Sequence, residues 1–114
     1  MEDTQKTNLE QLAQTLEIDV DMLKEILILF FENMPGQIDT MREDLAKNDL
    51  KSIHVIAHTL KGTAANLHYN DISETASAVE ILAVENVTTT EAYEALFNKL
   101  SLLLAHAKMQ IFYK

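Results

Sequence analysis

Apolar residues recur at intervals of three and four along most of the chain, a spacing that places them on one face of an α-helix. The clearest stripe predicts a helix over about residues 50–68, with steps of 3, 4, 3, 4 and 3. Its members are Leu50, Ile53, Ala57, Leu60, Ala64 and Leu67. A seam of this kind is typical of a helix packed inside a bundle.

Two helices are predicted before this seam. Thr7 and Glu10 form a capping box that opens a short helix over about 8–16. Asp19 or Asp21 then caps a second helix, because a short acidic side chain can accept hydrogen bonds from the free N–H groups of a first turn.

Pro35 leaves the course of this second helix open, since proline fits the first turn of a new helix or kinks one that continues. Two further capping boxes, Asp71 with Glu74 and Thr88 with Glu91, open the last two predicted helices. No repeat, linker or low-complexity stretch interrupts this series.

The composition also favours helices. The 114 residues include 2 Gly and 1 Pro, too few for the many tight turns of an all-β domain. We therefore expect an all-α fold, an antiparallel four-helix bundle with one or two additional short N-terminal helices. The length suits a single domain spanning residues 1–114.

The charge balance and the apolar runs exclude several kinds of partner and location. Asp and Glu number 18 against 9 Lys and Arg, so the net charge of -9 argues against nucleic acid or an anionic membrane as the partner. The absence of Cys excludes thiol chemistry. The longest apolar run, 26–31, is too short to span a bilayer, and residues 1–9 do not resemble a secretory signal. We expect a cytoplasmic monomer.

One histidine stands apart from the seam. At 100° per residue, His58 and His54 fall away from the apolar side, and Lys61 and Gly62 border His58 one turn later. Glycine inside a helix costs about 1 kcal/mol relative to alanine, so Gly62 needs a reason. Either another body approaches the neighbouring histidine closely, or a neighbouring helix packs densely there.

This arrangement suits phosphoryl chemistry. A neutral imidazole presents a nucleophilic ring nitrogen near neutral pH, and Lys61 could offset the charge of a phosphoryl group on it. A carboxylate bonded to the second ring nitrogen would hold the tautomer. None lies three or four residues from His58, so it must come from another helix.

The run from Ala57 to Leu67, AHTLKGTAANL, resembles the His-x-Leu-Lys-Gly motif of histidine-containing phosphotransfer (HPt) domains. The likeness extends over about residues 19–108. The resemblance implies a four-helix bundle whose surface histidine exchanges phosphate with the aspartate of a response-regulator receiver domain in a two-component phosphorelay.

The resemblance also implies roles for single residues. It makes His58 the phosphorylation site, Lys61 its charge partner and Gly62 the gap through which a receiver approaches. Glu80, in the Val79-Glu80 pair, matches a family position that often holds Glu or Gln near the histidine ring.

One departure from the family pattern concerns the end of the motif helix. His68 follows Leu67 where the family often has Gly. We therefore expect this helix to end differently, with a left-handed cap at Asn70.

The implied partners are a receiver domain, a hybrid sensor histidine kinase, or both. No Gly-rich phosphate loop is present, so the chain should be a phosphocarrier that does not phosphorylate itself from ATP and has no cofactor of its own. The Mg²⁺ of the transfer would belong to the receiver. Met1 and the short length favour a free protein, and a domain cut from a hybrid kinase fits too.

Two other functions stay open. The chain could be a helical adaptor or inhibitor that binds a signalling partner without taking phosphate. His54 and His58 are also spaced as metal ligands on a helix, which would suit a metal-dependent enzyme. We expect no metal site, because no third ligand is evident near them in the sequence.

Four residues are candidates for partner binding, and they are His54, Ala65, Ile28 and Leu29. The plainer interpretation of His54 is a surface histidine. Ile28 and Leu29 point away from the core stripe of their helix. Either the first helix covers them, or they form an apolar patch for a receiver domain.

Overall fold

The computed structural model of the protein describes residues 8–112, which form five α-helices and no strand. They are α1 (Asn8–Leu16), α2 (Val20–Ala46), α3 (Leu50–Asn66), α4 (Asn70–Val84) and α5 (Thr90–Phe112). The predicted all-α fold is confirmed. Helices α2 to α5 form an antiparallel four-helix bundle, and α1 is the additional short helix, packed against α2 and α5.

The predicted seam of α3 faces the core. Ile53, Ala57, Leu60 and Ala64 are each at most 1 % exposed. They pack with apolar side chains of all the other helices, so that α1 to α5 share one core. The closest packing in the described bundle is between α3 and α4, where the core positions include the small residues Ala57, Ala64 and Ala76.

Helix α2 continues through its proline. Pro35 lies inside the 27 residues of α2 and is exposed, so the chain continues one helix here and does not begin a new one. Asp19 is the cap of this helix, and its side chain accepts hydrogen bonds from the backbone N–H groups of Asp21 and Met22 at 3.0 and 3.3 Å. The predicted box at Thr7 lies outside the described residues.

The other two predicted capping boxes are wrong. Helix α4 begins at Asn70, so Asp71 already lies in its first turn, and the cap position is Tyr69, whose side chain makes no capping bond. Helix α5 begins at Thr90, two residues after Thr88. The ring of Tyr69 stacks on Phe30, which anchors the start of α4 through the core instead of through a polar cap.

The end of α3 also differs from the prediction. His68 itself adopts the left-handed conformation, with a φ of 66°, and α3 ends at Asn66. The Tyr69 N–H then donates to the Ala64 carbonyl at 2.8 Å. This is the bond of a Schellman motif that spans five residues along the chain. A left-handed cap at Asn70 is therefore wrong, because Asn70 is the first residue of α4.

Candidate functional site

His58 lies in the middle of α3 on the outer face of the bundle. Its neighbours Ala57 and Leu60 are buried in the core, and this fixes the rotation of α3 about its axis. The His58 side chain is consequently 65 % exposed. An imidazole in this position is open to a second molecule.

A carboxylate from α4 meets the inner nitrogen of this imidazole. His58 Nδ1 lies 2.8 Å from Glu80 Oε2, and the Glu80 side chain is only 13 % exposed. A carboxylate can only accept a hydrogen bond, so Nδ1 carries the proton and Nε2 keeps its lone pair. The carboxylate that the sequence required from another helix is thus found at Glu80.

Glu80 binds two further side chains of α3. Lys61 Nζ donates to its Oε1 at 2.7 Å, and His54 Nε2 donates to its Oε2 at 3.1 Å. His54, His58 and Lys61 occupy successive turns of α3, so one face of that helix presents three nitrogen groups to one carboxylate of α4. We refer to these four residues as the Glu80 cluster.

The charges around Glu80 keep it ionised. The hydrogen bond from Lys61 is the largest influence and lowers the pKa of Glu80 below its ordinary value of 4.5. Burial acts in the opposite direction, and the hydrogen bond from His58 lowers the pKa again. Since the net effect is a lowered pKa, Glu80 is an anion at neutral pH and accepts from every donor in the cluster.

The register between α3 and α4 is held beside the cluster by a polar contact. The Ser73 hydroxyl of α4 donates to the backbone carbonyl of Lys61 at 3.0 Å. This bond joins α4 to the turn of α3 that carries the lysine. The sequence contains no signal for it, because a lone Ser in a helix pattern has no preferred partner.

Gly62 is open to solvent. A Cβ added at this residue would meet no heavy atom within 4 Å. Dense packing by a neighbouring helix of the described chain therefore does not explain the glycine. Of the two reasons that the sequence allowed, approach by another body is the one compatible with this geometry.

The remaining partner-binding candidates lie in different places. Ala65 is exposed and follows His58 by two turns on the same face of α3. Ile28, 41 % exposed, faces α5 and lines a groove of about 270 Å³ with Lys108 and Phe112. Leu29 is 59 % exposed. The described part of the first helix covers neither residue, and no described contact links them to the Glu80 cluster.

Three exposed apolar residues near the cluster were missed in the sequence. Val55 precedes His58 by three residues, and Ile81 and Val84 follow Glu80 on α4. Val55 also lines a groove of about 230 Å³ between α2 and α3. The sequence could have revealed Val55, because the same count of 100° per residue that placed His58 outside the core also places Val55 outside the apolar seam of α3.

Two further features of the described chain bear on the interpretation. Among residues 8–112, no group of three or more His, Asp or Glu side chains could hold a metal ion. None of the five described helices combines the length and the apolar character that a membrane crossing requires.

Comparison with known proteins defines the family. The sequence model of the Hpt domain matches residues 25–110 of the chain, a span that includes most of α2, all of α3 and α4, and most of α5. Comparisons with curated proteins and with solved structures gave no match. The chain belongs to the Hpt domain family, whose members take part in histidine phosphotransfer in two-component signalling.

Proposed function

We propose that this protein is a phosphocarrier of a two-component phosphorelay and that His58 exchanges a phosphoryl group with receiver aspartates. The observation that carries the proposal is the difference between the two ring nitrogens of His58. Its Nδ1 is bonded to the largely covered carboxylate of Glu80, which leaves Nε2 as the free nitrogen of a side chain that is 65 % exposed, within the span that matches the family.

The transfer step follows from this tautomer. The Nε2 lone pair of His58 attacks the phosphorus of the receiver's aspartyl phosphate, a P–N bond forms, and the P–O bond to the aspartate breaks. The aspartate leaves as a carboxylate, and His58 becomes a phosphorylated imidazolium that keeps its proton on Nδ1. No proton has to move, and the reverse step returns the phosphoryl group to a receiver.

Glu80 would stabilise this step more than it stabilises the resting state. Positive charge develops on the imidazole as the P–N bond forms, and the Nδ1–H then points at an anion 2.8 Å away. An interaction that strengthens toward the transition state lowers the barrier, whereas one that is constant does not. Lys61 supplies the complementary charge for the phosphoryl oxygens.

The surroundings of His58 suit a receiver domain. Gly62 leaves the backbone of α3 accessible, and Val55 and Ile81 add exposed apolar surface nearby. The receiver, alone or within a hybrid sensor histidine kinase, would supply Mg²⁺ and the aspartate. The carrier would need neither ATP nor a cofactor of its own, and the exchange would take place in the cytoplasm.

The test is phosphoryl transfer from a panel of phosphorylated, radiolabelled receiver domains to the wild type and to His58→Gln. We expect label on the wild type that is lost in acid and retained in base, as a phosphoramidate requires, and at least a hundredfold less on the variant. His106→Ala, which removes an exposed histidine of α5, is the matched control and should behave as the wild type.

Absence of label from every donor, with receiver binding still detectable, would contradict the proposal. It would favour the adaptor that the sequence left open. Label of equal strength on His58→Gln would place the acceptor elsewhere in the chain.

A further inference from the structure

The Glu80 cluster contains a second imidazole that the proposed transfer does not use. His54 lies one turn before His58 on α3, and the centroids of the two rings are 6.2 Å apart. The His54 side chain is partly exposed, at 41 %. Its Nε2 is directed at Glu80 and not at solvent.

Both imidazoles share one carboxylate oxygen. Glu80 Oε2 accepts from His58 Nδ1 at 2.8 Å and from His54 Nε2 at 3.1 Å. A carboxylate oxygen has two lone-pair directions, so the two bonds can form together without competing. His54 therefore restricts the orientation of the carboxylate that in turn orients His58.

The role of His54 becomes larger when phosphate arrives. In the structure Lys61 is bound to Glu80 Oε1 at 2.7 Å. A phosphoryl dianion on His58 Nε2 would attract the same ammonium group, because Lys61 has a long, rotatable stem and a mobile point charge. Oε1 would then lose its donor within the cluster, and His54 would be the one donor left there besides the reacting ring.

We propose that His54 is a positioning residue, which holds the Glu80 carboxylate on His58 Nδ1 while Lys61 engages the phosphoryl group. This inference rests on the proposed function and deepens it. His54 touches neither phosphate nor receiver in this role and acts through Glu80 alone. The same bonds form and break as in the transfer step described above, and the Nδ1 proton stays on His58.

The role predicts a specific kinetic pattern. His54→Ala should slow transfer within the receiver complex by roughly three- to tenfold. This is the range expected when one hydrogen bond to a charged group is removed and water replaces it in part. The receiver concentration at half-maximal rate should stay the same, because docking is not altered. His54→Gln, whose amide can place an N–H donor near the position of Nε2, should recover most of the rate.

A spectroscopic measurement separates positioning from a general effect on the fold. Nitrogen-15 chemical shifts of labelled histidines report which ring nitrogen of His58 is protonated. We expect the Nδ1–H tautomer in the wild type and in His54→Gln, and a larger share of the Nε2–H tautomer in His54→Ala. Alanine is the best helix former, so α3 should stay intact in that variant. His106→Ala is again the control.

The outcomes are distinguishable. A wild type that takes no label from any receiver overturns the proposed function. A wild type that takes label, with a His54→Ala variant equal to it in rate and tautomer, overturns this inference alone. A raised half-saturation concentration with an unchanged maximal rate would make His54 a docking residue. A His54→Gln variant as slow as His54→Ala would show that the hydrogen bond donated to Glu80 is not the reason for the effect of His54.

Discussion

At the scale of single residues, the site depends on the contrast between an exposed imidazole and a largely covered carboxylate. Glu80 is withdrawn from solvent and held by Lys61, His54 and His58, so its geometry is set by the protein. The other ring nitrogen of His58, Nε2, makes no bond to Glu80, and it is the atom that we propose takes the phosphoryl group. The proposed transfer uses both features, a carboxylate held in place by the protein and an imidazole exposed to a partner.

The ionisation of Glu80 gives a pH dependence of stability. The folded-state pKa of Glu80 is lowered, mainly by Lys61, so the unfolded chain binds the proton more readily. The stabilisation is complete above the unfolded pKa of about 4.5 and is lost as the pH falls through the folded value. Glu80→Gln should therefore cost about 1 kcal/mol of unfolding free energy at pH 6.5 and clearly less at pH 3.5.

Urea unfolding at the two pH values measures this difference. The control is Glu74→Gln, which removes an exposed carboxylate from the same helix away from the cluster. If the cost of Glu80→Gln is the same at both pH values, the carboxylate does not contribute through its charge.

At the scale of helices, the turns are short and depend on contacts with the core. One residue in each turn adopts a positive φ, and none of these is glycine; they are Glu17, Asn48, His68 and Asn86. Two tyrosines secure the turns on either side of α4. Tyr69 stacks on Phe30 before it, and the Tyr93 hydroxyl donates to the Val87 carbonyl at 2.7 Å after it.

These two tyrosines should respond in opposite ways to loss of their hydroxyl groups. Tyr93→Phe removes a hydrogen bond and should cost about 1 kcal/mol of unfolding free energy. The Tyr69 hydroxyl is buried with no hydrogen-bond partner among residues 8–112, so Tyr69→Phe should be neutral or stabilising by up to about 1 kcal/mol. Thermal or urea unfolding of both variants measures the contrast.

Titration of tyrosinate absorbance provides a second check. Burial raises the pKa of Tyr69 to about 12 from 10.0. Stability is unaffected by this group below pH 10 and falls as the pH rises from 10 to 12, because the tyrosine of the unfolded chain loses its proton in this range while the folded ring keeps it. A tyrosine signal that titrates fully near pH 10 in the folded protein, or a destabilised Tyr69→Phe variant, would show that the ring is not held as described.

At the scale of the whole molecule, the described residues form a rod of 51 × 21 × 21 Å. The exposed apolar side chains of this rod lie in separate places. One set, Val55, Ile81 and Val84, lies on α3 and α4, the two helices that form the Glu80 cluster. The groove of Ile28 lies on the other side of α2, toward α5. The proposed receiver surface around His58 therefore includes Gly62 and Val55, while the Ile28 groove is a separate surface.

Glycine at position 62 should be neutral or unfavourable for folding and required for docking. Gly62→Ala should stabilise the fold by up to about 1 kcal/mol, since helix propensity improves and the added Cβ meets no atom within 4 Å. Gly62→Gln should raise the half-saturating receiver concentration by about tenfold, equivalent to 1.4 kcal/mol of docking energy. Unfolding curves and transfer kinetics measure the two effects.

Gly36→Ala is the matched control for Gly62. It makes the same exchange within α2, where an added Cβ is equally free, and it lies outside the Glu80 cluster. It should give a similar gain in stability and an unchanged half-saturation. Normal docking by Gly62→Gln would contradict the role of Gly62 as the gap for a partner.

The local regularities of the chain were enough for most of the fold. The 3,4 spacing predicted the buried seam of α3, and Asp19 was one of two predicted caps for α2. The same count placed His58 outside the core, with Lys61 and Gly62 beside it. These features depend on neighbours within one or two helical turns, whose relative positions follow from the helix geometry itself.

The tertiary structure decided the features that join separate helices. Glu80 reaches His58, His54 and Lys61 because of the rotation and register between α3 and α4, which are set by core packing and by contacts such as Ser73 to Lys61. Tyr69 likewise starts α4 through its contact with Phe30, where the polar pattern indicated Asp71. Such contacts depend on distances between helices, and a periodicity within one helix contains no information about those distances.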